Sequence, residues 1–164
     1  MKALFRLTVL MLVALVFLSN VALAVTWQRV NNATGVFFDT DEICFGKRLN
    51  NVSLSVEPDF TRVICWTKTE FTPREAAQFV EVLKDFRYYS LDCTIALITL
   101  SIPDKTYTVH RYTYISTNGS IIKDIDDGYT FKILPGSWAE TQYEDIVNYA
   151  LANEKILTQH TMSL

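Results

Sequence analysis

The alternation of apolar and polar positions divides this chain into short strands and two helices. The longest apolar stretch beyond the N-terminal segment is Leu91–Ile102, almost unbroken through Ile95-Ala96-Leu97-Ile98. A strand with one wet face alternates cleanly, so this run predicts a central strand covered on both faces. Thr106–Ser116 follows across Pro103-Asp104-Lys105 and carries Tyr107, Val109, Tyr112, Tyr114 and Ile115, residues suited to a pleated, half-buried surface. Asn118-Gly119 marks a turn that needs positive φ, and Ser120–Ile125, the turn Asp126-Asp127-Gly128 and Tyr129–Leu134 complete this half. Upstream, Thr26–Val30 and Gly35–Cys44 read as strands either side of Asn31-Asn32-Ala33-Thr34. Asn51–Val56 gives the cleanest period of two, with Val52, Leu54 and Val56 set against Asn51, Ser53 and Ser55, and predicts a strand with one wet face. Arg62–Lys68 is a further strand, entered through Pro58-Asp59-Phe60.

The helices announce themselves by their caps. Thr72 with Glu75 forms a capping-box pattern, Pro73 sits at the first helical position, and Ala76, Phe79, Val80 and Leu83 share one face, so a helix is predicted over Thr72–Phe86. Ser137 with Glu140 repeats the pattern after Pro135-Gly136. Ala139, Tyr143, Ile146, Val147 and Ala150 follow at helical spacing, predicting a helix that ends near Leu157 and leaves a frayed tail.

The N-terminal segment stands apart. Lys2 and Arg6 precede an apolar core from Leu7 to Leu18, and Ala22-Leu23-Ala24 supplies small residues at the two positions that signal peptidase reads. Met1–Ala24 therefore reads as a secretory signal peptide. An uncleaved membrane anchor is the alternative, although the apolar core is short for a span of about 20 residues. Removal changes the charge: 15 Lys and Arg become 13 against 18 Asp and Glu, a net of −5. A mildly acidic chain has no electrostatic footprint for nucleic acid. The remaining 140 of 164 residues, 25–164, fit a single domain with no internal repeat or linker. They contain no second apolar run long enough to span a membrane, so the mature chain is expected to be extracytoplasmic: secreted, periplasmic or at the cell surface.

Chemistry is sparse. Asp39, Asp41 and Glu42 cluster, but oxygen-ligand loops show a more regular alternation with a Gly at the bend, so a solvated turn is favoured over a metal site. His110 sits mid-strand and His160 in the tail, without paired ligand spacing. Gly136-Ser137-Trp138 lacks the second glycine of a nucleophile elbow, and Ser137 is better used as a cap. Tyr88, Tyr89, Tyr107, Tyr112 and Tyr114 are read as core and cross-strand packing, with surface binding anchors as the other use. The sequons at Asn32, Asn51 and Asn118 matter only in a eukaryotic secretory route. No catalytic residue, metal ligand or cofactor is assigned, and the binding residues stay unassigned.

The cysteine count is odd, which leaves at least one thiol free or intermolecular. If Gly35–Cys44, Asn51–Val56 and Arg62–Lys68 form a meander, Cys44 and Cys65 flank the same middle strand about 9.6 Å apart. That exceeds the roughly 7 Å that a disulfide bridges. Cys65 with Cys93 requires neighbouring strands. Three buried thiols acting as small apolar residues are favoured.

Several short motifs occur in a suggestive order: Trp27, the Val36-Phe37-Phe38-Asp39 run with Ile43 after it, Asp92-Cys93 opening a long strand, Tyr114 before Asn118-Gly119, and Ile133-Leu134-Pro135-Gly136-Ser137 before the last helix. Together, over roughly Trp27 to Tyr149, they resemble the bacterial surface-adhesin E family of small, protein E-like exported domains. The resemblance implies an antiparallel sheet of about half a dozen strands with a C-terminal helix packed on one face, which the independent list of elements matches. The expected fold is α+β: an antiparallel sheet of about six to seven strands, that helix, and an additional mid-chain helix. The resemblance further implies a non-enzymatic binding domain at the cell envelope, with host or extracellular-matrix protein as the ligand class and a homodimer as the assembly. The alternative is an envelope protein that takes a small apolar ligand or a partner protein in the sheet concavity, with no adhesive role. In the family the Cys of the Asp-Cys pair is tied to a Cys in the last helix. This chain keeps Cys93 but has no later Cys, the expected partner falling near Val147. N-terminal sequencing of exported protein is expected to begin at Val25; a product beginning at Met1 refutes cleavage after Ala24.

Overall fold

A computed structural model describes residues 25–163; the proposed signal peptide, Met1–Ala24, lies outside them. Among the described residues eight antiparallel strands form one sheet in the order β1-β2-β4-β5-β6-β7, with β3 pairing β4 and β8 pairing β6. The strands are β1 Trp27–Arg29, β2 Val36–Asp39, β3 Cys44–Asn50, β4 Ser55–Glu70, β5 Leu91–Ser101, β6 Thr106–Ser116, β7 Ile121–Ile125 and β8 Tyr129–Lys132. Among the described residues three α-helices accompany them: α1 Pro73–Leu83, α2 Trp138–Ala152 and α3 Glu154–Ser163. A 3-10 turn at Phe86–Ser90 carries α1 into β5. The fold is α+β, with both the C-terminal and the mid-chain helical elements in place.

The alternation along the central strands sorts side chains onto two faces. Val63, Cys65 and Thr67 of β4 lie opposite Leu100, Ile98 and Ala96 of β5, and Leu100 and Ile98 lie opposite Tyr107 and Val109 of β6. This face is buried, and Tyr143, Ile146, Val147 and Ala150 of α2 and Leu157 of α3 pack into the same core. α1 covers the far end of the same face, where Ala76, Val80 and Phe79 meet Tyr88, Leu91 and Tyr114. Every described helix thus lies on one side of the sheet.

The cap at Thr72 forms in full as the sequence predicts. At Ser137 only half of the expected box forms, the Glu140 carboxylate accepting from the Gly136 N–H at 2.6 Å rather than from the Ser137 N–H. Thr72 Oγ1 accepts from the Glu75 N–H and the Glu75 carboxylate accepts from the Thr72 N–H at 2.7 Å, while Ser137 Oγ accepts from the Glu140 N–H at 3.2 Å. Buried polar groups are matched across the layers: Tyr107 donates its hydroxyl to Gln142 Oε1 at 3.1 Å, which pins β6 to α2.

Four expectations are corrected. Asn51–Val56 is not a strand: residues 51–54 are the turn between β3 and β4, and Val52 and Leu54 are 95% and 78% exposed. Their alternation has no core to face. β3 therefore pairs β4 directly, with Cys44 opposite Ile64, so Cys44 and Cys65 sit on adjacent strands rather than two spacings apart. β5 is central but covered by the described helices on one face only. The tail is docked rather than frayed: the C-terminal helix breaks at Asn153, and α3 places Thr161, 1% exposed, where its hydroxyl accepts from the Phe45 N–H at 3.0 Å and donates to Leu157 O at 2.7 Å. His160 Nδ1 lies 3.1 Å from Ile43 O in the same contact.

All three cysteines are free and buried. Cys93 points away from α2, so a strap from it to position 147 has no geometric route, and Val147 packs as a core side chain instead. Ile146, 0% exposed, carries the docking of α2. Ile146→Ala is expected to cost about 2–5 kcal/mol in chemical denaturation, and reductant is expected to leave the melting temperature unchanged. An unaltered stability in the variant contradicts the docking; a large reductant effect contradicts the free thiols.

Candidate functional site

The second face of the sheet is the candidate. On it β4 presents Ile64, Trp66 and Lys68, and β5 presents Thr99, Leu97 and Ile95 in register opposite them. β2 adds Phe37 beside Lys68, and Trp27 enters from β1. These side chains are half-buried by one another, and no described helix packs on them. The apolar run through Ile95 and Leu97 thus serves a face left open rather than a second core.

The face divides into an apolar half and a charged half. In the apolar half, the Lys68 ammonium sits 4.8 Å from the Phe37 ring centre and 5.6 Å from that of Trp27 while pairing with Glu70 at 2.7 Å. Such a contact fixes the aromatic rings by cation–π attraction without covering them. Val25, Trp27, Asp39, Glu42, Trp66 and Ile95 line a shallow, open hollow of about 270 Å³ at this end. Across β6 and β7 the character changes: Arg111 pairs with Asp124 at 2.6 Å, and Thr113 donates its hydroxyl to Asp124 at 2.6 Å. The face thus sets an aromatic centre beside a charged rim.

Most residues singled out from sequence fall elsewhere, although Asp39 and Glu42 line the hollow and His110 borders the face through Thr99. Tyr107 and Tyr88 are buried on the helix-covered face, and Tyr112 and Tyr114 pack edge to face there with ring centres 4.7 Å apart. Burial raises the hydroxyl pKa of all four. Tyr89 is exposed and stacks on Phe86, away from the open face. Asp39 is buried and accepts the N–H groups of Asp41 and Glu42, and Asp41 accepts from Thr26 N–H at 2.8 Å. The acidic cluster is thus a capped turn, and among the described residues no group of three or more ligands is placed to hold a metal ion. His110 is the extra residue of a bulge in β6 and bonds Thr99 at 2.7 Å. Ser137 caps α2. Burial pushes the thiol pKa of Cys44, Cys65 and Cys93 up, which keeps them protonated and poor nucleophiles. The residues that sequence reasoning missed are Phe37, Trp66, Ile95 and Leu97 as surface groups. Their signal was the failure of both long strands to alternate.

The arrangement defines a class by shape: a single antiparallel sheet with helices on one face and an apolar, aromatic opposite face left open. No family model matches this chain, and no curated protein matches it. Solved structures similar to it include Haemophilus influenzae protein E in crystal form II, at 13% identity and a TM-score of 0.49, covering 75% of this chain and 87% of that one. Protein E from non-typeable Haemophilus influenzae is similar at 9% identity and a TM-score of 0.46, covering 84% and 88%. At these identities family membership does not follow. Among the described residues no helix is long and apolar enough to cross a membrane.

The charged rim has a titration signature. Hydrogen bonds from Arg111, and next from Thr113, hold the Asp124 carboxyl down to about 2. A lowered carboxyl pKa stabilises the fold above the unfolded value near 4, and that contribution is lost as pH falls through about 2. NMR titration is expected to show Asp124 ionising near 2 in the parent and rising toward 4 in Arg111→Ala. A parent midpoint near 4 refutes the pairing.

Proposed function

We propose that this chain is a non-enzymatic binding domain that takes a protein ligand on its open sheet face. The observation behind this reading is the partly buried set of Trp27, Phe37, Trp66, Ile95 and Leu97 on a face that no described helix covers. Contiguous apolar patches of this kind, rimmed by polar groups, mark interaction sites. Large aromatic side chains supply the anchors of such interfaces. Export belongs to the same reading: Met1–Ala24 as a signal peptide cleaved after Ala24, residues 25–164 as the mature domain, and an extracytoplasmic location. Host or extracellular-matrix protein is the ligand class, following the motif order that resembles the surface-adhesin E family, and self-association through the open face or a sheet edge is part of that assembly.

A second reading rests on the hollow between Trp27, Trp66 and Ile95. Its apolar walls suit one small apolar ligand, with Asp39 and Glu42 at the margin.

The test is surface plasmon resonance of the mature chain over immobilised extracellular-matrix proteins. Trp66→Ser is expected to weaken binding roughly 30-fold, the loss of one interface anchor. Tyr89→Ser, which removes an exposed aromatic off this face, leaves it unchanged. Binding that survives Trp66→Ser and Ile95→Ser together overturns the reading. Stoichiometric quenching of tryptophan fluorescence by a fatty acid, with no protein binding, moves the assignment to the small-ligand reading.

A further inference from the structure

The hollow on the open face sets indole rings beside acid that lacks a countercharge. Trp27, Trp66 and Ile95 give it apolar walls, and Asp39 and Glu42 stand with them on its lining. Asp39 is 2% exposed, a depth at which a carboxylate is normally paired. Its Oδ1 takes both N–H bonds of the turn, from Asp41 and Glu42, and its Oδ2 has no hydrogen bond among the described residues. Asp41 and Glu42, both exposed, add two more carboxylates. None of the three forms an ion pair among the described residues. The cations of this face are committed elsewhere. Lys68 pairs with Glu70 and Arg111 with Asp124, at 2.7 and 2.6 Å, and Arg62 reaches Asp59 at 3.7 Å. Arg29 donates its Nε to Ala33 O at 3.3 Å, toward the turn after β1 and away from Val25. Lys47 stands opposite Pro58, beyond the bulge in β3, and Lys132 lies on β8, three strands from Trp66. Cleavage after Ala24 adds one ammonium, at Val25, against these three carboxylates.

We infer that the hollow takes an arginine side chain presented by the protein ligand. The inference rests on the open-face reading and names the side chain that this end of the face reads. A guanidinium suits the lining because it is flat, weakly hydrated, stacks on an indole and forks its N–H groups onto a carboxylate. Its apolar stem lies along Trp66 and Ile95 while the charged head reaches the margin at Glu42 and Asp39. The same chemistry already operates within the fold, where the Lys68 ammonium sits over Phe37 and Trp27 beside Glu70. A lysine from the ligand is the poorer match, since its ammonium is strongly hydrated and has no flat face to stack. A wholly apolar occupant leaves the buried Asp39 without a countercharge.

The test uses the mature chain and two capped peptides, Gly-Gly-Arg-Gly-Gly and its twin with citrulline, which keeps the shape of arginine and removes its charge. Binding is read from tryptophan fluorescence and from the indole N–H signals of Trp27 and Trp66 in NMR. The arginine peptide is expected to bind about tenfold more tightly than its twin, with the difference shrinking as salt is added. Glu42→Gln should reduce arginine affinity about fivefold and leave the citrulline peptide unaffected. Glu81→Gln, the same charge change on the helix-covered side, alters neither. Asp39 also caps its turn, so the exposed Glu42 is the variant that keeps folding out of the comparison. Equal affinity for the two peptides, or arginine binding untouched by both Glu42→Gln and salt, overturns the inference. Arginine binding that appears only after acetylation of the Val25 amino group also overturns it, by assigning the carboxylates to the chain's own terminus. Matrix-protein binding that Trp66→Ser abolishes and Glu42→Gln spares leaves the open-face reading standing while this inference falls. Arginine selectivity with no matrix-protein binding does the reverse.

Discussion

The structure depends on one burial, that of β5 between β4 and β6 beneath α2. Ile98 lies opposite Cys65 on one side and Val109 on the other, all buried, and Ile146 closes the layer from above. Because this core uses only every second residue of three strands, one layer of helices is enough to exclude water from it. That economy leaves the remaining residues of the same strands free for another purpose, and Ile95 and Leu97 show that they are not spent on solubility. The domain is two-sided: one side of each central strand holds the fold, and the other is available for contact.

Polar links refine what apolar burial cannot orient. The Tyr107–Gln142 bond fixes the rotation of α2 on β6, since the apolar stripe alone tolerates small rotations. Thr161 does the same for α3 by accepting the Phe45 N–H at the point where β3 departs from regular pairing. A buried donor left without a partner costs more than the bond contributes, so each link penalises misdocked alternatives more than it stabilises the native one.

What the sequence disclosed followed the range of the interactions involved. Both helix starts were readable because Thr72 and Ser137 meet partners three residues away. β6 and the turn after it were likewise local. Asn51–Val56 misled because period two reports alternation, not burial, and Val52 and Leu54 alternate in open water. α3 was missed because its reason to be ordered lies more than a hundred residues upstream, at Phe45 and Ile43. The candidate site was hidden for a related cause. Leu91–Ile102 was seen to be apolar on both sides, but whether helices cover both sides is decided by where α1 and α2 cross, which no local pattern records. The tyrosines drew attention by number, yet the open face is built on Trp27, Phe37 and Trp66.

The bend at Gly46, in the β3–β4 hairpin, has a consequence for variation. Gly46 lets β3 pass close to Arg62, where an added Cβ would lie 3.1 Å from that side chain, and Asp59 braces the bend by accepting from the Thr61 N–H and hydroxyl. The direction of the hairpin is therefore set at the bend, by residues distinct from those of its turn. Residues 51–54 can drift, lengthen or be replaced by a foreign loop with little effect on the core. The chain thus carries, at the end of the β3–β4 hairpin and away from its core, a natural graft position for a displayed peptide.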